Sequence, residues 1–127
     1  MDEPERKPVS VYMVLDNRYT PLTWVARSGQ VEVARGLISC GADVDQEDGL
    51  GYTPLAWACI SRSEEMVKLL IESGADVNLL PRVEIPPIGH ACFHNCVEIV
   101  QMLINAGADV NYYGHFLSIS SGYGYYR

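Results

Sequence analysis

A period of 33 residues constrains this chain more than any other feature of its sequence. Gly41-Ala42-Asp43-Val44 returns as Gly74-Ala75-Asp76-Val77, and again as Gly107-Ala108-Asp109-Val110. The same offset carries Thr20-Pro21-Leu22 onto Thr53-Pro54-Leu55 and then onto Pro86-Pro87-Ile88, with no insertion or deletion. Self-similarity at such a period means tandem units, each too small to bury its own apolar face and each completed by its neighbours. The chain therefore divides into three units, 19–51, 52–84 and 85–117. An N-terminal segment 1–18 and a Gly/Ser/Tyr-rich tail 118–127 flank them.

Within each unit the residue types predict two helices. Thr20 and Thr53 stand before Pro21 and Pro54, where a hydroxyl oxygen caps a helix and proline fits its first turn. Pro86 replaces that threonine in the third unit, which loses the capping bond and about 1 kcal/mol with it. The first helices are expected over Pro21–Ser28, Pro54–Ser61 and Pro87–His94, turning at Gly29, Arg62 and Asn95. Glycine, and less easily asparagine, accepts the left-handed backbone of such a turn, so strain or a rearranged turn is expected at Arg62. The second helices carry apolar columns: Val33, Met66 and Ile99; Leu37, Leu70 and Leu103; Ile38, Ile71 and Ile104. Helical spacing gathers these into one buried stripe. Gly41, Gly74 and Gly107 stand where a helix C-terminal glycine belongs, and the Asp-Val beyond each begins an extended turn. Gly36 takes the column of Leu69 and Met102 and costs about 1 kcal/mol of helix propensity, which makes the first unit the softest.

Helix, turn, helix and projecting loop, with T-P-L near the start and G-A-D-V-N near the end, resembles the ankyrin repeat over about three quarters of the chain. The resemblance implies an all-α solenoid of helix-turn-helix units with projecting loop hairpins. It also implies a non-enzymatic protein-protein interaction module, an adaptor or scaffold, that binds a protein or peptide through the concave first-helix face and the loop tips.

Composition agrees with one small folded domain. The 127 residues are 48% hydrophobic and 20% charged, too apolar for a disordered chain. The longest apolar run, Leu55 to Ile60, is far too short to cross a bilayer. Nine Lys and Arg against 16 Asp and Glu leave a net charge of −7, with the cations scattered, which argues against nucleic acid as a partner. The opening Met1-Asp2-Glu3-Pro4-Glu5 lacks the basic start and apolar stretch of an export signal, so an intracellular, cytoplasmic or nuclear, setting is expected. Cys40, Cys59, Cys92 and Cys96 are accordingly expected as thiols.

At about 100° per residue, Leu22, Val25 and Ala26 share one side of the first helix, and Trp24, Arg27 and Ser28 share the other. Carried forward by 33, the second set becomes Trp57, Ile60 and Ser61, then His90, Phe93 and His94. In ankyrin-repeat proteins that side contributes to the binding groove, so the resemblance makes Trp24, Arg27, Trp57, Ile60, His90, Phe93 and His94 contact residues. Exposed together, Trp24, Trp57, Ile60 and Phe93 would form an apolar patch of the kind that marks an interaction site. The alternative is that the tryptophans and Ile60 fold down and finish the core between units. The first loop tip, Asp45-Gln46-Glu47-Asp48, offers Gln46, Glu47 and Asp48 to a basic partner segment, unless the charge run is simply solvated. The second is Leu79-Leu80-Pro81-Arg82.

The run from His90 to Cys96 holds two His and two Cys and invites a zinc reading, which helical geometry opposes. His90 and His94 share a face, Cys92 points nearly opposite, and Cys96 falls in or beyond the turn. Cys92 aligns with Cys59 and Ala26 in a column for small buried side chains. No metal, no cofactor and no catalytic residue is expected, since no nucleophile elbow, phosphate loop or metalloprotease motif occurs. Asn78 and Asn111, eight residues beyond Leu70 and Leu103, resemble the substrate position of the family's asparaginyl hydroxylase. The plainer reading is that each asparagine stabilises its loop by local hydrogen bonds.

Both ends break the period. Val9 to Leu15 is apolar enough to form a partial cap over unit one. Beyond unit three, five of the eight tyrosines fall in the last 16 residues. They serve either as a cover for that unit or as a docking segment. With no convincing polar cap, marginal stability and self-association through the third unit are expected. The rival to the adaptor reading is a shortened regulatory form that competes or co-assembles with a longer ankyrin-repeat relative.

Overall fold

The computed structural model of the protein describes residues 18–111. Within that span lie six α-helices and no strand: α1 Pro21–Ser28, α2 Val31–Ser39, α3 Pro54–Ile60, α4 Glu64–Glu72, α5 Pro87–Phe93 and α6 Val97–Asn105. None exceeds nine residues, too short to persist alone, so packing between units holds the helices. The first helices α1, α3 and α5 stack in one row and the second helices α2, α4 and α6 in another. This is the expected all-α solenoid.

The local chemistry follows the residue types. Thr20 Oγ1 accepts the Thr23 N–H at 3.0 Å, while Thr23 Oγ1 accepts the Thr20 N–H at 2.8 Å. The second unit keeps half of this arrangement, with the Ala56 N–H donating to Thr53 Oγ1 at 3.1 Å. Pro86 offers no side-chain cap, and the Gly89 N–H falls back on the Pro86 carbonyl at 2.9 Å. Helices α3 and α5 end at Ile60 and Phe93, one residue before the expected Ser61 and His94.

All three helix-helix turns adopt one geometry, with φ of 76° at Gly29, 61° at Arg62 and 58° at Asn95. The bonds that close them match too: Gln30 N–H to the Val25 carbonyl, Ser63 to Ala58 and Cys96 to Ala91, at 3.0, 3.1 and 2.9 Å. Arg62 is therefore forced into the left-handed region rather than given a different turn, which costs an L-residue about 1–2 kcal/mol. Arg62→Gly is expected to stabilise the protein by about 1 kcal/mol, after allowing for glycine's greater unfolded-state entropy. Thermal denaturation checks this through a rise in Tm of about 4–8 °C.

The core is centred on the middle unit, where Leu55, Ala58, Cys59, Met66, Val67 and Leu70 are buried between Leu22, Val25 and Ala26 on one side and Ala91, Ile99 and Leu103 on the other. The apolar stripe is not uniform. Met66, Ile99, Leu70 and Leu103 are buried, but Val33 is 49% exposed and Ile104 40%. Leu37, Ile38 and Ile71 are half-buried. Val33 and Ile104 belong to the outer units, which have a described neighbour on one side only. Gly36 is exposed, and a Cβ there would touch nothing within 4 Å. Gly36→Ala should therefore raise stability by about 1 kcal/mol through helix propensity alone, visible as a higher urea midpoint with an unchanged m-value.

Candidate protein-binding face

The loop hairpins are stitched from unit to unit before they meet solvent. Asp43, Asp76 and Asp109 each accept, at 2.9 Å, the N–H two residues on, which shapes the tips. Asp45 Oδ1 then accepts the Asp76 N–H at 3.0 Å. Asn78 bridges to the third unit at both ends of its amide: Oδ1 accepts the Asp109 N–H at 2.8 Å, and Nδ2 donates to the Gly107 carbonyl at 2.9 Å. Arg82 reaches back to the first tip, 3.1 Å from Glu47 Oε1 and 2.8 Å from the Asp48 carbonyl. Asn78 and Asn111 are exposed above buried Leu70 and Leu103.

The free acidic tip expected at 45–48 is consequently corrected in part. Gln46 is exposed, but Glu47 is half-buried and paired with Arg82, and Asp48 is only 4% exposed. The Asp48 carboxylate accepts three hydrogen bonds, from the Leu50 N–H at 2.9 Å, the Tyr52 N–H at 3.0 Å and Trp57 Nε1–H at 2.7 Å. It organises the loop and is not presented to a partner.

Above this loop the first helices carry a run of aromatic rings. Trp24 and Trp57 are half-buried and packed against the core, neither fully exposed nor fully folded down between the units. Tyr19 lies 5.2 Å from Trp24 and 5.9 Å from Trp57, and Tyr52 lies 4.7 Å from Trp57 and 5.7 Å from His90, centroid to centroid. The exposed Arg27 places its guanidinium carbon 5.7, 5.5 and 5.4 Å from the Tyr19, Trp24 and Trp57 rings, within cation–π range. Ile60 is half-buried. Phe93 is 66% exposed and meets half-buried His94 edge-on at 5.2 Å.

His90 departs from its expected place on the surface. It is 7% exposed, and its Nε2 finds no hydrogen-bond partner among the described residues. The register explains this. Trp57 answers to His90 one period later, and Asp48, which receives Trp57, answers to Pro81, whose side chain accepts nothing. Burial first, and then the charge of His94, push the His90 pKa down to about 4.

Tyr19 and Tyr52 are the site residues that inspection of the helices alone passes over. Their signal lies in the same 33-residue offset, immediately before each Thr-Pro. The thiol column is also corrected at one position, because Cys92 is exposed whereas Cys59 and Ala26 are buried. Burial, then neighbouring Cys96, push the Cys59 thiol pKa upward, which keeps it protonated. Among the described residues no three His, Cys, Asp or Glu converge to hold a metal. The cap expected at Val9–Leu15 and the tyrosine tail lie outside the described residues.

A family model described as ankyrin repeats in three copies matches residues 6–80, and a single-repeat model matches residues 87–115. With the first match spanning over half the chain, the protein belongs to the ankyrin-repeat family. Ankyrin repeats are generally protein-protein interaction modules, and proteins built from them are typically non-enzymatic. No curated protein matches this chain. No helix among the described residues is long and apolar enough to cross a membrane.

Proposed function

We propose that the protein is an adaptor or scaffold whose groove, lined by Trp24, Arg27, Trp57, Ile60, Phe93 and His94, binds a peptide or protein segment. The observation that carries this is the aromatic run of Tyr19, Trp24, Trp57 and Tyr52, held by its own ring contacts and half open to solvent. Side chains ordered before binding lose little entropy on binding, and Trp, Tyr and Arg are the residues in which interface energy concentrates. Buried Asp48 holds the Trp57 indole and buried His90 packs near Tyr52, which keeps these rings in place.

The test compares proteins retained from a cell lysate by the intact chain and by an Arg27→Glu/Phe93→Glu variant, both sites being exposed and outside the core. With equal helicity by circular dichroism, a discrete set of proteins should be held by the first and lost by the second. Identical retention would place recognition elsewhere.

A second reading, co-assembly with another ankyrin-repeat chain through the third unit, is supported by exposed Cys92, by Val97 at 69% and by Val110 at 60%. Sedimentation velocity should then show association that Val97→Lys weakens. Asn78 and Asn111 are also offered at exposed loop tips for hydroxylation, which intact-mass measurement after incubation with an asparaginyl hydroxylase would reveal.

A further inference from the structure

The carboxylates of the described helices all lie in one of the two rows. No Asp or Glu occurs in α1, α3 or α5, whereas α2, α4 and α6 carry Glu32, Glu64, Glu65, Glu72 and Glu98. The groove helices thus lack carboxylates in a chain of net charge −7. Arg27 is the only Lys or Arg in those three helices.

Among the described residues, Arg27 is met by aromatic rings and by no carboxylate. Three rings face its guanidinium at 5.4–5.7 Å, and it forms no ion pair among the described residues. Ring faces attract the cation but leave its planar N–H donors to other acceptors. A guanidinium fixed in orientation, with its donors available and no carboxylate on the helices around it, matches bidentate recognition of a carboxylate.

We propose that Arg27 is the polar anchor of the groove and receives an Asp or Glu side chain from the bound segment, whose neighbouring apolar residues lie against Trp57, Ile60 and Phe93. The proposal rests on the groove reading above and reverses the partner charge that the acidic loop tip implied. An internal side chain is the source rather than a chain terminus, because Ile60 and exposed Phe93 follow Arg27 at the same position of the next two units, which gives a segment apolar contacts beyond the anchor.

The test is selection of random linear peptides on the intact chain, followed by affinity measurement of selected peptides with amidated C-termini. Selected peptides are expected to carry Asp or Glu beside aliphatic or aromatic residues. Replacing that Glu by Gln should weaken binding on the order of tenfold to the intact chain and by less than about twofold to Arg27→Gln, the signature of a direct pair. Arg27→Lys keeps the charge but loses the fork, and should recover only part of the affinity. Two results overturn the anchor and leave the groove standing, provided Phe93→Glu still abolishes binding. One is a Glu-to-Gln penalty that persists in Arg27→Gln. The other is enrichment of Lys or Arg, which would mean that the rings take a partner's cation in place of Arg27. If Phe93→Glu and Arg27→Gln both leave every selected peptide bound as before, the groove reading fails and the anchor with it.

Discussion

Asp48→Ala is expected to destabilise the protein by about 3 kcal/mol, more than any other single change at the loop tips. The carboxylate is buried and accepts from the Leu50 and Tyr52 N–H groups and from Trp57 Nε1–H, so alanine strands three donors at once. A buried donor left without an acceptor costs about 1–3 kcal/mol, and water reaching the exposed Leu50 side of the loop recovers part of that sum. Asp48→Asn keeps the shape and one carbonyl oxygen but turns the other acceptor into a donor, so an intermediate loss is expected. Trp57→Phe strands no backbone group and should cost least of the three. Urea denaturation of this series is the measurement, and a loss below about 1 kcal/mol for Asp48→Ala would show that water substitutes for the carboxylate.

Acid sensitivity between pH 6.5 and 4 is the second large effect, and it comes from His90. Its folded pKa is pushed down to about 4 from the ordinary 6.5, so the unfolded chain takes up the proton first. Stability from this group is complete above pH 6.5, falls by about 1.4 kcal/mol per pH unit below it, and is exhausted near pH 4, for a total of about 3 kcal/mol. His90→Phe should flatten that part of the pH-stability profile relative to the intact chain. The difference between the two curves isolates His90 from the carboxylates that titrate nearby in pH. Pro81→Asp supplies the acceptor that Asp48 provides one unit earlier, and should raise the His90 pKa and reverse the slope. If His90→Phe leaves the profile unchanged, His90 gains a proton without cost and the burial argument fails.

Much of the architecture was legible because it is local and repeated. The Thr-Pro starts, the glycines that end the second helices and the turn at Arg62 each follow from residues a few positions apart, and repetition at one offset supports the readings, once more for Thr-Pro and twice more for the glycines. The candidate site was half legible. Trp24, Arg27, Trp57 and Phe93 were found from their angular position on the first helix. Tyr19 and Tyr52 were missed because they precede the helix, although they fall in register with each other. Residue type alone predicts Asp48 and His90 on the surface, since an acidic loop and a histidine on the outer side of a helix ordinarily belong there.

The sequence by itself determined the period, the helix pairs, the family and which residues share the outer face of the first helices, since all of these depend on residue type and spacing along the chain. Tertiary structure alone decided which residues that face presents. Exposure within a column depends on the units before and after it, which is why Cys92 is open where Cys59 is closed, and Val33 where Met66 is buried. Partnership depends on where separate elements meet: the Trp57 indole brings Asp48 inward, Pro81 denies His90 the same bond, and three rings from two units surround the Arg27 guanidinium. These are long-range consequences of stacking, and no local rule of propensity or pattern carries them.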